Sequence, residues 1–335
     1  MTDKQAWLAQ AADVLARHDY GSTGLDYIGA GAQSRCYGTG QVAVLLNQAG
    51  PGEQVEDLTG HVLPGSGDVI TSNTYVVQQW ITGRAADAGV RTPRILAVGL
   101  LPRPYAIIER ARGTLASTHP RFQEHASEWF GKLGAEIRTT HSVETTGFGM
   151  LVPDESAKYR GRFATWAAYL DEWLAVHLCI GRSRPEDQRV LDLLLAQDIV
   201  SERDFAALAS RVCEAQRWPV TSVLTHYDNR AENLVVEAGE ITVLDWGLSL
   251  AGIGISQELI KLFETEPTSM ESPRVAAFLH GYGLSHSEGL EAIDKGKLML
   301  VLEGLGMSYG WADNDDRLEG IRSWLKTVKR YCSAW

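Results

Sequence analysis

The chain has 335 residues, of which 44% are apolar and 22% charged, and its formal net charge is −11. This is the composition of an ordinary globular protein, long enough for one large domain or two lobes. The acidic balance argues against nucleic acid as a partner, because phosphate backbones favour basic surfaces, and it is compatible with a cationic substrate.

The first twenty residues predict an amphipathic helix. Apolar side chains share one of its faces: Trp7, Leu8, Ala11, Val14 and Leu15. Asp3, Asp13 and Arg17 interrupt the apolar region that a secretion signal would need. Since no stretch approaches the roughly 18 apolar residues of a membrane span, we expect a soluble, cytoplasmic protein that binds no membrane.

Residues 25–110 favour strands. The segment LDYIGAGAQSRCYGTGQVAVLL (25–46) alternates strands with glycine turns, and RILAVGL and PYAIIER supply two more strands. Between them, NTYVVQQWITGRAADAG (73–89) predicts a helix that stops at Gly89. Its apolar residues at helical spacing are Val76, Val77, Trp80, Ile81 and Ala85.

Residues 47–73 form a separate segment, rich in Gly and Pro and acidic through Glu53, Glu56, Asp57 and Asp68. A loop of this length in a compact domain is usually functional or disordered. Two interpretations stay open, a mobile flap over a site and an ornamental insertion.

From about residue 113 onward the pattern is helical. One helix is marked by Phe122, Ala126, Trp129, Phe130, Leu133 and Ile137, and another by Trp166, Tyr169, Leu170, Trp173 and Leu174. Further helical patterns occupy 185–215, 256–266, 273–281, 287–305 and 315–331. The sequence therefore predicts an α+β chain of two lobes, a strand-rich lobe at 1–112 and a helical lobe at 113–335.

The cysteines offer no metal site or disulfide framework. Cys36, Cys179, Cys213 and Cys332 are far apart and form no C-x-x-C pair. We expect reduced, packed thiols.

The segment THYDNRAEN (225–233) concentrates polar residues between two apolar runs, and the next apolar run leads to Asp245. As structure alone it would be an Asx-rich turn. After a strand-rich lobe, however, H-x-D-x-x-x-x-N followed by a strand ending in Asp is a kinase-like arrangement. Phosphoryl transfer needs a positioned nucleophile and metals that absorb phosphate charge.

The expected roles follow from the side-chain chemistry. Asp228 can accept the proton of a substrate hydroxyl or orient that hydroxyl. Asn233 and Asp245 offer the hard oxygen ligands that suit Mg²⁺. We expect His226 to anchor the loop rather than act as base, and Trp246 to pack rather than stack on substrate.

The chain resembles the aminoglycoside phosphotransferase family, a branch of the protein-kinase-like fold, through HYDNRAENLVV and VLDWG. Within that family it is similar to hygromycin B phosphotransferases over 145–170, 217–252 and 302–316. The resemblance implies a bilobal fold with nucleotide between the lobes. It also implies transfer of a γ-phosphate from ATP or GTP to a hydroxyl of a small molecule.

Three family features are missing. The third strand usually carries a cation that grips the α- and β-phosphates, and Leu45 stands there. Its usual acidic partner on the next helix is replaced by Gln78 and Gln79, and Ile255 stands where the family often has Asp after the metal strand. Losing the whole ion pair is coherent, because losing half would leave an unpaired buried charge. Arg230, or Arg35 beside the glycine turn, could bind phosphate instead.

The remaining candidate residues line the expected nucleotide and acceptor sites. In GAGAQS (29–34), backbone N–H groups around Gly29, Gly31 and Ser34 can face phosphate, although a plain hairpin turn is equally consistent. The backbone around Glu109 and Ala111 would bind a purine edge. Candidate acceptor ligands are Trp311, Asp313, Asp315 and Asp316, with a helix break capped by Asp316 as the alternative.

Two hypotheses result. The first is a Mg²⁺-dependent kinase of an antibiotic, either an aminoglycoside or hygromycin-like molecule or a nucleoside antibiotic, that confers resistance and acts as a monomer or dimer. The second is a catalytically inactive kinase-like module that binds a small molecule or a partner. A protein kinase is disfavoured, because no A-P-E-like segment follows LDWG.

Overall fold

The protein has an α+β fold in which antiparallel sheets dominate the N-terminal part and helices the C-terminal part, as the sequence predicted. The structure is a computed structural model. The structure describes residues 3–30, 34–48, 75–154, 158–177, 201–267 and 269–311. Most of the predicted insertion at 47–73, part of the helical pattern at 185–215 and all of that at 315–331 lie outside these ranges.

The predicted N-terminal strands form one five-stranded antiparallel sheet in the order β1-β2-β3-β5-β4. The strands are β1 (Asp26–Ala30), β2 (Ser34–Gly38), β3 (Val42–Asn47), β4 (Ile95–Gly99) and β5 (Tyr105–Glu109). A short turn joins β2 to β3, as the glycine spacing indicated, and residues 31–33 between β1 and β2 lie outside the described ranges. The central strand β3 pairs along its length with both β2 and β5.

Each face of this sheet is covered by a different helix. Helix α1 (Asp3–Arg17) buries Trp7, Ala11, Val14 and Leu15, as predicted, in a core cluster that includes Val44 and Leu46 of β3. Side chains alternate across a strand. Leu45 accordingly belongs to a second cluster, with Tyr75 at the start of α2 (Tyr75–Asp87), Ile95 and Ala106.

Helix α2 follows the predicted pattern of apolar residues with one exception. Val77, Ile81 and Ala85 are buried in the core of the C-terminal part, and Trp80 is half-buried against it. Val76, however, is 52% exposed, so the spacing included one residue that lies outside the buried face. Val76 lies 100° from Val77 around the helix axis, on the side away from this core.

The C-terminal part contains six helices among its described residues. They are α3 (Phe122–Thr140), α4 (Trp166–His177), α5 (Glu202–Ala215), α6 (Ile255–Thr265), α7 (Pro273–Tyr282) and α8 (His286–Trp311). Trp166, Tyr169 and Leu170 are buried, which confirms their expected place in the core. Helices α3 and α7 approach so closely at Gly134 and Gly281 that a Cβ on either would overlap the facing backbone.

Seven short strands complete this part. They are β6 (Thr114–Leu115), β7 (Phe148–Pro153), β8 (Tyr159–Phe163), β9 (Val223–Thr225), β10 (Leu234–Glu237), β11 (Glu240–Val243) and β12 (Leu250–Gly252). One sheet has the order β11-β10-β6 and the other β8-β7-β12-β9. The sequence predicted strands on both sides of residues 226–233, but it did not predict the β7–β8 hairpin.

Two further expectations were tested. No helix in the described ranges is long and apolar enough to cross a membrane. Cys36 and Cys213 are free thiols, as expected, but Cys213 is exposed, so the expectation of a packed thiol was wrong there. It lies on α5, a surface helix that presents one face to solvent. Cys179 and Cys332 lie outside the described residues.

Candidate active site

The polar loop, residues 226–233, connects β9 to β10 and ends in a short 3-10 turn, Ala231–Asn233. Strand β10 pairs with β11 in an antiparallel hairpin, with Leu234 opposite Val243. The next hydrogen bond, from Leu244 N–H to the Asn233 carbonyl oxygen at 2.8 Å, extends this pairing by one residue. Asn233 and Asp245, twelve positions apart in sequence, therefore lie at the same end of the hairpin.

Asp228 is the most confined carboxylate of the polar loop, with 2% exposure. The side-chain amide of Asn233 donates to its Oδ2 at 2.8 Å and to its carbonyl oxygen at 2.9 Å. Buried Oδ1, in contrast, accepts no hydrogen bond within the described residues. A buried carboxylate oxygen with an unused lone pair is costly unless a ligand uses it, and this one can accept a proton from a bound hydroxyl.

Arg230 faces Asp228 from two residues further along the loop. Its Nη2 donates to Oδ2 at 3.0 Å, and its Nε lies 2.8 Å from Oδ1 as an ion-pair contact without hydrogen-bond geometry. Burial acts to lower the pKa of Arg230, but the hydrogen bond and charge of Asp228 outweigh it and raise that pKa. The guanidinium is a fixed positive charge, 38% exposed, directly beside the carboxylate.

His226 holds the loop in place. It is fully buried, its Nε2 lies 2.9 Å from the Leu244 carbonyl oxygen, and its Nδ1 accepts from Asp228 N–H at 3.2 Å. Its ring also packs edge-on against Trp246. With both ring nitrogens engaged by backbone, this geometry supports the anchoring role expected for His226 and not that of a proton acceptor.

Glu258, on α6, was not identified from the sequence. Its carboxylate is 0% exposed and accepts backbone N–H groups of His226 and Tyr227, both at 2.7 Å, and the side-chain amide of Asn229 at 2.5 Å. Ile255 stands where the family often has Asp, but α6 begins there, so the carboxylate facing the loop comes one turn later. Glu258 fixes the path of the polar loop.

A histidine and a tyrosine extend this network. His141 Nε2 lies 3.0 Å from Glu258 Oε1, and its Nδ1 lies 2.8 Å from the Tyr282 hydroxyl. Burial acts to raise the pKa of Glu258, but the hydrogen bond from His141, the charges of His141 and His226 and the Tyr227 N–H hold it below its usual value. Burial and the charge of Glu258 raise the pKa of Tyr282 to about 12.

Asp245 follows β11 in a left-handed conformation, with φ of 57°, and its exposed carboxylate accepts from Gly247 N–H at 3.3 Å. The next residue, Trp246, is buried and donates to the Thr92 hydroxyl at 2.7 Å, which confirms that it packs. The left-handed turn thus separates a buried indole from a carboxylate open to ligands. Such strained residues cluster at functional sites.

The donor set fits Mg²⁺. Asp245 supplies a carboxylate and Asn233 an amide oxygen at the same end of the hairpin, both hard ligands. Within the described ranges no group of three or more His, Cys, Asp or Glu side chains could hold a metal alone.

The expected phosphate-binding turn joins β1 to β2. Gly29 lies on β1, and an added Cβ there would meet nothing within 4 Å, whereas Gly31 lies outside the described residues. The Ser34 hydroxyl lies 2.7 Å from the hydroxyl of Tyr75, the first residue of α2. Arg35 points to the opposite face, where its guanidinium lies 4.4 Å from the Trp7 ring, so this arrangement argues against Arg35 as a phosphate ligand.

The described residues also lack the family's ion pair between a cation on β3 and a carboxylate on α2. Leu45 lies between Cys36 and Ala106 in the sheet register. The Gln79 side chain donates to the Ile95 carbonyl oxygen at 3.1 Å, on a neighbouring strand. Apolar packing therefore occupies the place of the strand cation.

The expected purine-binding segment leaves β5 toward the C-terminal part. Glu109 N–H donates to the Arg94 carbonyl oxygen at 3.0 Å, and Arg110 N–H to that of Gln41 at 3.1 Å. These two amides already have partners, so Ala111 is the better candidate to donate to a base. Of the expected acceptor residues, Asp313, Asp315 and Asp316 lie outside the described residues, and Trp311 is described only as the last residue of α8.

Comparisons with known proteins identify a matching family and proteins of similar fold. A family model described as the phosphotransferase enzyme family matches residues 78–295. A search of curated proteins gives no match.

Solved structures share the fold at low sequence identity. A thermostable mutant (D198A) of aminoglycoside phosphotransferase APH(4)-Ia in complex with ADP and hygromycin B has a TM-score of 0.59 and 17% identity, covering 97% of this chain and 96% of that one. A macrolide 2′-phosphotransferase from Brachybacterium faecium has a TM-score of 0.54 and 14% identity, with 96% and 97% coverage. A choline/ethanolamine kinase family protein from Mesorhizobium loti has a TM-score of 0.54 and 15% identity, covering 99% of this chain and 94% of that one.

Proposed function

The chain belongs to the phosphotransferase enzyme family, and from this we propose that it transfers the γ-phosphate of ATP or GTP to a hydroxyl of a small-molecule antibiotic. Supporting the proposal, one protein of similar fold is described with ADP and hygromycin B, and another as a macrolide phosphotransferase. The acceptor we propose is an aminoglycoside, a hygromycin-like molecule or a nucleoside antibiotic. Its modification would confer resistance.

The observation that carries this proposal is the buried Oδ1 of Asp228, which accepts no hydrogen bond within the described residues. In the proposed mechanism the acceptor hydroxyl donates to this oxygen, and Asp228 orients it and takes its proton as the phosphate is transferred. His226 and Glu258 act as positioning residues that hold the loop backbone. Arg230, beside Asp228, would turn to bind phosphate oxygens when nucleotide is present.

Asn233 and Asp245 would hold Mg²⁺, which supplies charge neutralisation for the phosphates when it is bound. On the other lobe, backbone groups near Gly29 and Gly31 and the side chain of Ser34 would contact the phosphates. The backbone of Glu109 and Ala111 would contact the purine. We propose the lobe boundary near residue 112, because β6 begins at Thr114 and pairs with β10 of the C-terminal part.

A second candidate function has its own supporting observation. Leu45 packs against apolar neighbours where the family carries a cation, which would suit a kinase-like module that binds a ligand without transferring phosphate. The discriminating property is Mg²⁺-dependent nucleotide binding coupled to transfer. The retained set of Asp228, Asn233 and Asp245 favours the enzyme.

The test is transfer of label from γ-labelled ATP or GTP, with Mg²⁺, to hygromycin B, other aminoglycosides, macrolides and nucleoside antibiotics. We expect label on at least one acceptor. In Asp228→Asn we expect turnover to fall by about a hundred- to ten-thousandfold, because the amide cannot accept the proton.

Asp294→Asn is the matched control, since this carboxylate pairs with Arg211 on the surface, outside the site, and its loss should leave turnover unchanged. Transfer that persists at full rate in Asp228→Asn would contradict the role of Asp228. A chain that binds neither nucleotide in the presence of Mg²⁺ and transfers no label would instead favour the binding module.

A further inference from the structure

One side of the N-terminal sheet has a hydroxyl pair at the place where the family carries a charge. Leu45, at the expected cation position, packs in one cluster with Tyr75, Ala106 and Ile95. The aromatic ring of Tyr75 thus covers the surface that a lysine side chain would cross. Tyr75 is only 8% exposed, yet it ends in a polar group.

The position of this hydroxyl is defined by its contact with Ser34. It lies 2.7 Å from the Ser34 Oγ, at the start of β2 and directly after the expected phosphate-binding turn. Burial raises the pKa of Tyr75 to about 12, the hydrogen bond to Ser34 opposes this, and the charges of Cys36 and Asp245 add to it. Asp245 thus contributes to the electrostatics of the phenol, and the contact with Ser34 places the hydroxyl next to the expected phosphate-binding turn.

We propose that the Tyr75 hydroxyl, supported by Ser34, donates a hydrogen bond to the phosphates of the donor nucleotide and replaces the strand cation with a neutral donor. This inference rests on the proposed function, because it concerns the same nucleotide site. It explains how Leu45 and Gln79 can coexist with an intact polar loop.

The hydrogen-bond count permits this role. Each hydroxyl has one proton to donate and can accept others. If Ser34 donates to Tyr75, the phenol proton is free for a phosphate oxygen, and the two bonds polarise one another. The phenol stays protonated over the working pH range of a protein, so it remains a donor where a nearby carboxylate would repel phosphate. A neutral donor adds no positive charge, which leaves charge neutralisation to Mg²⁺ and Arg230.

The experiment compares binding of a nucleoside triphosphate analogue with binding of its nucleoside. Mg²⁺ complexes of AMP-PNP and GMP-PNP are titrated into the full chain by calorimetry, and adenosine and guanosine likewise. In Tyr75→Phe we expect affinity for the better-bound analogue to fall roughly ten- to hundredfold, the effect of losing a hydrogen bond to a charged group, with nucleoside affinity unchanged. In Ser34→Ala we expect a loss of about threefold, because only the supporting bond is removed.

Tyr105→Phe is the matched control. Tyr105 is also buried, at 6% exposure, and its hydroxyl makes an equally short bond of 2.7 Å to His18, but on the opposite face of the same sheet. It should change neither affinity. Tyr75→Phe that binds the analogue within twofold of the unmodified chain would overturn the inference alone, as would an equal loss of nucleoside affinity. If the unmodified chain binds neither analogue, the proposed function itself fails.

Discussion

The two sides of the candidate site are built from different chemistry. The polar loop is fixed by buried polar side chains, since Glu258 and His226 are 0% exposed and Asp228 2%, and Glu258 and His226 accept hydrogen bonds from the loop backbone. The facing side of the N-terminal sheet has apolar Leu45 and a pair of neutral hydroxyls on Ser34 and Tyr75. The loop side keeps the charged residues of the family, and the described residues of the sheet side show neither the strand cation nor its acidic partner.

This difference reflects two tasks, positioning of the reacting groups by the loop and binding of the phosphates by the sheet. A proton acceptor and metal ligands must be held in one geometry, and a buried carboxylate with several donors specifies that geometry at the risk of a large penalty if one partner is lost. Phosphate oxygens can be bound by many donor sets, charged or neutral. The chain thus varies where alternatives exist and retains charge where they do not.

Among the variants that test this comparison, Glu258→Gln is expected to have the largest effect. The amide nitrogen would face donors, so the backbone N–H groups of His226 and Tyr227 would compete for one remaining oxygen. We expect turnover to fall by about a hundredfold or more as the loop shifts. The free energy of unfolding should fall by about 3–5 kcal/mol, measured by urea denaturation.

The matched control is Glu266→Gln, at the C-terminal end of the same helix, where the carboxylate pairs with Arg274 away from the loop. It should lower stability but not turnover at permissive temperature. Normal turnover in Glu258→Gln would show that the loop needs no buried charge.

The same variant should change the pH dependence of stability. Burial acts to raise the folded-state pKa of Glu258, but the hydrogen bond and charge of His141 hold it below its usual value. Its stabilising contribution is therefore complete above the unfolded-state pKa of about 4.3 and is lost as pH falls through the lower folded value. Glu258→Gln should flatten this acid limb in denaturation curves collected between neutral and strongly acidic pH. An acid limb of unchanged slope would exclude Glu258 as its source.

A smaller effect is expected in Arg230→Ala, which tests whether the loop side also supplies the charge missing from the sheet. Arg230 is half-buried and pairs with Asp228 in the absence of nucleotide. If it turns to phosphate during transfer, its loss should reduce turnover roughly tenfold to a hundredfold. The control in steady-state kinetics is Arg121→Ala, which removes an exposed ion pair with Glu124 outside the polar loop. Unchanged turnover would remove Arg230 as the phosphate ligand.

The sequence predicted the polar loop better than its surroundings, for physical reasons. Asp228, Asn233 and Asp245 lie within eighteen residues on a local hairpin, so their spacing alone brings them together. Glu258 reaches the loop from a helix, and Tyr75 reaches Ser34 across 41 positions, and no short-range pattern encodes such contacts. The family resemblance directed attention to a strand Lys, its acidic partner and an Asp at position 255, so neither Tyr75 nor Glu258 was identified from the sequence.

The missed β7–β8 hairpin has a similar cause. Its strands contain glycines at tight backbone contacts, where a Cβ on Gly161 would overlap the backbone of Phe148. Gly147 and Gly149 have φ values of 71° and 88°, which few other residues adopt. Glycines are more typical of loops than of strands, and periodicity reports side-chain alternation and not backbone proximity, so the sequence pattern does not predict this hairpin.

The smallest expected change sharpens the comparison from the sheet side. Leu45→Lys restores the family cation without its acidic partner, because Gln79 is bonded to the Ile95 carbonyl oxygen. The new ammonium would be desolvated against Tyr75 and Ala106. Turnover should stay level or fall by no more than a few fold, and the melting temperature should drop, relative to the volume-conserving control Leu45→Met. A gain in turnover would show that this site still favours a cation, and that a neutral hydroxyl is not its settled replacement.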